Sequence, residues 1–244
     1  MWDELRPDID RLAPRCRPSR RQAGWQSWRD LVFLHWEVPA DLLRPLVPEE
    51  LALDTWQGRA FAGIVAFAMQ GVRPWWWPPW MALRLLETNV RTYVVYDGKP
   101  GVYFFSLDAN HLPAVLGARL GWSLPYYPAR IERKKGNDGE YYSVRRWSSS
   151  GVLELRYQPG SSLPASDPDS LEFFLLERYL LFVKRGGRIR TGQVYHTPYP
   201  VQQVAVTIQQ QTLLQTAGIN VPTPTAAQYA HFSAGVDVEV FSLV

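Results

Sequence analysis

Between Glu87 and Val94 the chain reads Glu-Thr-Asn-Val-Arg-Thr-Tyr-Val. In an extended strand side chains alternate faces, so Glu87, Asn89, Arg91 and Tyr93 share one side and Thr88, Val90, Thr92 and Val94 the other. A carboxylate, an amide, a guanidinium and a phenol thus stand in one row. Such groups can hold a small carbonyl or carboxylate compound: Glu87 and Arg91 as the catalytic pair of acid/base and forked anion donor, Asn89 and Tyr93 as directional hydrogen-bond partners. The same alternation describes the wet side of an ordinary antiparallel strand. The hairpin after Asp97-Gly98-Lys99-Pro100 argues otherwise, because Val102-Tyr103-Phe104-Phe105 is apolar on both faces and reads as a covered strand. Beside such a partner the polar row is expected in an enclosed cavity, where its members need one another or a ligand to offset lost hydration.

Other chemistries lack their patterns. There is no Gly-x-Ser-x-Gly elbow and no glycine-rich phosphate loop. His35, His111, His196 and His231 have no local metal spacing, and Cys16 is the single cysteine, so neither a metal nor a cofactor is expected. The net charge of +3 offers no polyanion stripe beyond Arg15, Arg17, Arg20 and Arg21, and no nucleic-acid partner is expected. Those arginines follow Asp3, Glu4, Asp8 and Asp10 and lack an adjoining apolar stretch, which does not read as a targeting peptide. Gln70 and Arg73 end the longest apolar run, Ala60 to Met69, far short of the ~18 residues of a membrane-spanning helix. A cytoplasmic location is the expectation.

The elements that must position the polar row are mostly strands. Alternation and bounding turns mark Leu31–Val38, Ala60–Met69, Glu87–Tyr96, Gly101–Leu107, Tyr141–Trp147, Val152–Tyr157, Gln193–His196, Val201–Ile208 and Val236–Leu243 as strands. Ala60–Met69 sets Phe61, Val65, Phe67 and Met69 against small Ala60, Ala62, Ala66 and Ala68, the uneven filling a tapering barrel wants. Helices are expected near Leu112–Leu120, over the apolar run Leu171–Val183 behind the capping signal Ser166–Ser170, and at Gln209–Ala217. With no repeat and no linker, residues 22–244 read as one domain behind a partly ordered arm, 1–21. Among 11 Trp, 12 Tyr and 10 Phe, the run Trp75-Trp76-Trp77-Pro78-Pro79-Trp80 stands out. Its prolines exclude a helix, so an aromatic loop is expected, as a lid on the cavity, in an interface with a partner such as a second copy of the chain, or inserted at a membrane surface. Lid or interface is the preferred reading, because Arg73 and Arg84 are a thin supply of the basic charge that membrane insertion recruits.

Several strings together are similar to the uncharacterised bacterial family called domain of unknown function 2071. They are Trp25-Gln26-Ser27-Trp28-Arg29-Asp30-Leu31, His35-Trp36-Glu37-Val38-Pro39, Glu87 to Val94, Gly101 to Ala109, Leu124-Pro125-Tyr126-Tyr127, Glu177-Arg178-Tyr179 and His196-Thr197-Pro198. That family resembles acetoacetate decarboxylase, which implies a mainly β fold, an antiparallel β-barrel with peripheral helices around a ligand cavity. Those decarboxylases carry a Schiff-base lysine in a Pro-Lys-Lys string, where a neighbouring cation keeps the amine free. The corresponding stretch here reads Tyr126-Tyr127-Pro128-Ala129-Arg130, and a guanidinium, always protonated, forms no imine. Lys134-Lys135 lies between charged residues and the Gly136-Asn137-Asp138-Gly139 turn and reads as a solvated hairpin end.

What remains is a pocket without a Schiff-base lysine. Glu87 and Arg91 would stand at its floor; Asn89, Tyr93, Asp108, Arg119, Tyr126 and Arg130 are the candidate ligand-binding residues. Arg119 can instead pair with Asp108 or Glu87, and Glu177 and Arg178 read as a structural polar contact. The preferred function is binding, with or without chemical transformation, of a small carbonyl or carboxylate metabolite. The alternative is a non-catalytic interaction protein whose rings fill its own cavity and whose Trp75–Trp80 loop meets a partner.

Overall fold

The computed structural model describes residues 9–136 and 139–244, and for residues 117–120 the backbone alone. Twelve strands follow one another among the described residues: β1 (Gly24–Val38), β2 (Ala52–Leu53), β3 (Ala60–Pro74), β4 (Leu83–Tyr96), β5 (Lys99–Ala109), β6 (Tyr126–Gly136), β7 (Gly139–Arg146), β8 (Val152–Ser162), β9 (Leu180–Arg185), β10 (Arg188–Tyr195), β11 (Val201–Gln211) and β12 (Tyr229–Phe241). The helices are short: α1 (Ala40–Leu43), α2 (Leu112–Trp122), α3 (Leu171–Leu176) and α4 (Leu213–Thr216). None is long and apolar enough to cross a membrane.

The sheet curls into a ring, and it forks. Strands β12, β1, β3, β4 and β5 form a continuous antiparallel wall. At one edge β5 pairs in parallel with β6 through Leu107–Ala109 and with β9 through Val102 and Tyr103. At the other edge β12 pairs with β11 at Phe232 and Ser233 and with β10 at Glu239–Phe241. One circuit therefore closes through β6, β7, β8 and β11, and a smaller one through β9 and β10.

A wall shared by two circuits is covered on both sides. Val32, Leu34, Trp36, Ala62, Ile64, Ala66 and Val90 face a core completed by Ile131, Val144, Leu153 and Ile208. Leu31, Phe33, Phe61, Val65, Phe67 and Tyr93 face a second core completed by Val102, Phe174, Leu175 and Tyr199. The large-and-small alternation of β3 is thus divided between two cores. Every residue from Glu87 to Val94 is buried, so the polar row is not the wet side of a strand.

Two helical expectations fail. The run Leu171–Val183 is helical only as α3, capped where Ser170 Oγ accepts the Phe173 N–H at 3.1 Å. From Leu180 onward the same apolar run is β9, paired with both β10 and β5. An apolar stretch without periodicity suits a buried strand as well as a buried helix, and sheet pairing decides here. Likewise β11 extends to Gln211, and only Leu213–Thr216 of the expected helix Gln209–Ala217 forms. Of the arm, residues 1–8 lie outside the described residues; from residue 9 it lies against the barrel, with Pro14 buried and both Arg11 Nη groups donating to Asp54 at 2.7 and 2.8 Å.

Candidate functional site

Glu87 stands on the β4 face that looks into the smaller circuit, 3% exposed. Parallel pairing of β5 with β6 sets Leu107 opposite Tyr126, and antiparallel pairing sets Leu107 opposite Asn89. That register brings the Tyr126 phenol to Glu87, where it donates to Oε2 at 2.6 Å, and the Asn89 side chain also hydrogen-bonds the carboxyl. From the opposite face Tyr142 donates its hydroxyl to the Glu87 carbonyl at 2.9 Å and receives the Thr88 hydroxyl at 3.1 Å, which pins this backbone. Burial dominates the protonation of Glu87, pushing it from the ordinary 4.5 up to about 7 against the two hydrogen bonds; the nearby Asp108 charge adds to the rise. A carboxyl so placed exchanges a proton near neutrality.

Further along the row the partners are backbone and rings. Arg91 donates through Nη2 to the Leu175 carbonyl of α3 at 3.2 Å and lies 5.7 Å from the Phe33 ring. Tyr93 donates to the same carbonyl at 2.7 Å, so its oxygen accepts from His35 Nε2, also at 2.7 Å. His35 is therefore neutral with its proton on Nε2; burial first and the Arg91 charge second hold it well below the usual histidine range. The pair needs Gly63 beside it, because a Cβ there would stand 2.9 Å from His35 Cδ2. Three buried atoms of this face, Asn89 Oδ1, Arg91 Nε and His35 Nδ1, have no hydrogen-bond partner among the described residues.

The remaining candidates separate. Asp108 lies opposite Thr88 and so on the other face, and its carboxylate is held by Arg146 through two bonds, Nε–Oδ1 2.6 Å and Nη2–Oδ2 2.8 Å. The Arg146 guanidinium also stacks 4.2 Å from the Tyr127 ring centroid. Both oxygens are engaged with Arg146, so Asp108 does not join the Glu87 row. Arg130 points outward and pairs with Glu132 at 2.6 Å; the next residue of the strand, Ile131, takes the inner side. The Arg119 side chain lies outside the described residues. Lys134 and Lys135 are exposed, 3.1 Å from Glu132 and 3.9 Å from Glu140. Glu177 and Arg178 take separate partners: Arg178 donates to Asp54 at 2.7 Å, and Glu177 receives the Tyr179 hydroxyl and the Tyr199 N–H.

Sequence reasoning missed Arg146, His35 and Gly63, which come from other strands and carry no local signal. Among the described residues no three His, Cys, Asp or Glu side chains gather as metal ligands. A groove of about 780 Å³ opens where β11 and β12 splay apart, lined by Gln158, Glu172, Gln203 and His231. A smaller one of about 230 Å³ is lined by Glu37, Arg59 and Gln228. Neither is lined by the polar row, over which α3 is laid with Phe174 5.2 Å from Tyr93.

Comparison with known proteins sets this geometry in context. A family model described as an uncharacterized conserved protein matches residues 25–237. The uncharacterized protein YqjF of Bacillus subtilis (strain 168) is 38% identical over 199 residues, 81% of this chain and 82% of that protein. Among solved structures, an acetoacetate decarboxylase superposes with a TM-score of 0.60 at 13% identity, covering 93% of this chain and 92% of the other. An acetoacetate decarboxylase-like enzyme from Sphingomonas wittichii RW1 gives 0.58 at 11% identity over 92% and 93%. The enduracididine biosynthesis enzyme MppR, complexed with pyruvate, gives 0.57 at 12% identity over 92% and 90%. At such identities the likeness establishes the acetoacetate decarboxylase-like fold.

Proposed function

From the premise that this chain belongs to the domain of unknown function 2071 family, we propose that it binds a small carbonyl or carboxylate metabolite at the Glu87 face, without a Schiff-base lysine. One observation carries the reading: a buried carboxyl, pushed up to about 7 by its burial, shares its strand face with a buried amide oxygen and a guanidinium Nε that lack partners among the described residues. Groups of that kind are costly to bury unless something completes their hydrogen bonds. Binding of pyruvate by MppR, which has the same fold, supports the ligand class. The exposed ends of Lys134 and Lys135, and Ala129-Arg130 in place of a lysine pair, support binding by hydrogen bonds and charge without an imine.

Glu87, protonated below about 7, donates to a ligand oxygen, and Arg91 Nε supplies a second donor four residues along the strand. Because α3 and Tyr126 cover the face, entry displaces one of them. Pyruvate and acetoacetate titrated calorimetrically into the full chain test this. Saturable binding that weakens as pH rises through 7, with that dependence flattened in Glu87→Gln, is the expected result. Absence of saturable binding, together with no retained small molecule in native mass spectra of protein from its own host, refutes it.

A further inference from the structure

The rim where β3 gives way to β4 has no part in the Glu87 face. Here Trp75, Trp76 and Trp80 are 44%, 63% and 81% exposed, with Met81 exposed beside them. The loop is built, not slack. Trp75 donates its N–H to the Ala23 carbonyl at 2.9 Å, Trp77 to Pro74 at 3.1 Å and Met81 to Pro78 at 3.0 Å. Trp76 and Trp77 pack edge to face at 5.7 Å. Rigid indoles held in water are not explained by the core, which is complete without them.

The chain segments that build the loop carry charge of one sign, and the acidic group beside them, Glu239 opposite Trp25, is taken by Arg17. No Asp or Glu occurs between Asp54 and Glu87 or between Asp10 and Asp30, whereas Arg73 and Arg84 bracket the tryptophans and the arm adds Arg20 and Arg21. Gly24 makes that convergence possible: a Cβ there would lie 2.4 Å from the Arg73 carbonyl oxygen, so only glycine lets β1 begin against Arg73–Pro74. The Arg21 guanidinium then stands 3.5 Å above the Trp75 ring. Arg17 and Arg29 are neutralised by Glu239 and Asp237, but among the described residues Arg20, Arg21, Arg73 and Arg84 have no acidic partner.

We propose that this rim docks on an anionic membrane surface, with the indoles at headgroup depth and the arginines against the lipid charges. Tryptophan suits that depth because its ring is apolar and its N–H polar, and unpaired arginines add attraction to anionic lipid. A second copy of the chain is the poorer occupant, since a two-fold contact would set this cationic rim against itself.

The test uses the full chain with vesicles of phosphatidylcholine alone and of phosphatidylcholine mixed with phosphatidylglycerol, read by co-flotation, tryptophan emission and quenching by brominated lipid. Expected are binding to the anionic vesicles that salt weakens, a blue shift, and quenching. Trp76→Ser/Trp80→Ser should abolish binding with an unchanged thermal melt, and Arg21→Gln or Arg84→Gln should each weaken it about fivefold. No flotation with anionic vesicles, flotation indifferent to the tryptophan substitutions, or a dimer that those substitutions dissociate in the absence of vesicle binding would each overturn the proposal.

Discussion

Replacing Glu87 with glutamine removes one titrating group and leaves an amide oxygen where the Tyr126 phenol donates at 2.6 Å. In the fold Glu87 holds its proton up to about 7; in the unfolded chain it releases it near the ordinary 4.5. Between those values the folded state binds more protons than the unfolded one, so stability falls as pH rises. The interval from 4.5 to about 7, at about 1.4 kcal/mol per pH unit, corresponds to about 3 kcal/mol, present in full below 4.5 and gone by pH 8. Urea unfolding at pH 5 and pH 8 measures most of it. The wild type should lose about 2 to 3 kcal/mol more than Glu87→Gln across that step, and other titrating groups, common to both proteins, cancel in the difference. Equal pH dependence in the two proteins would mean that Glu87 is ionised in the fold, and the acid/base role argued from its burial would fall with it.

Histidine gives the opposite slope. Burial lowers His196, stacked 4.5 Å from the Tyr179 ring, from 6.5 to about 4, so its contribution is complete above 6.5 and lost as pH falls toward 4. His196→Gln should therefore unfold less readily on acidification, sparing up to about 3 kcal/mol relative to the wild type in urea melts at pH 4 and 7. At the Asp108–Arg146 pair, Asp108→Ala strands a guanidinium whose side chain is 4% exposed and should cost about 3 to 5 kcal/mol in the same assay, whereas Asp108→Leu combined with Arg146→Met should recover most of the loss.

Much of the wall was legible one strand at a time. Alternation located β1, β3 and β4, and the doubly apolar run after the hairpin turn located β5 and told that the polar row of β4 is covered, since period and composition are local properties that survive without knowledge of neighbours. The same locality misread Leu171–Val183, where helix and buried strand share one apolar signature and only the pairing of Leu181 and Phe182 with β5 separates them. Asp108, a candidate ligand-binding residue, stands on the opposite face of the pleat from Glu87, where Arg146, 38 residues further along the chain, takes its carboxylate. The residue types of the Glu87 row, and their order on one face, follow from β4 alone. Their environment does not. Tyr126 reaches Glu87 because β5 pairs in parallel with β6, and Arg91 and Tyr93 are capped by Leu175 because α3 is laid over their face of the wall. Burial, and with it the protonation of Glu87 near neutrality, depends on strands far apart in sequence meeting across a forked sheet, and no local pattern encodes that meeting.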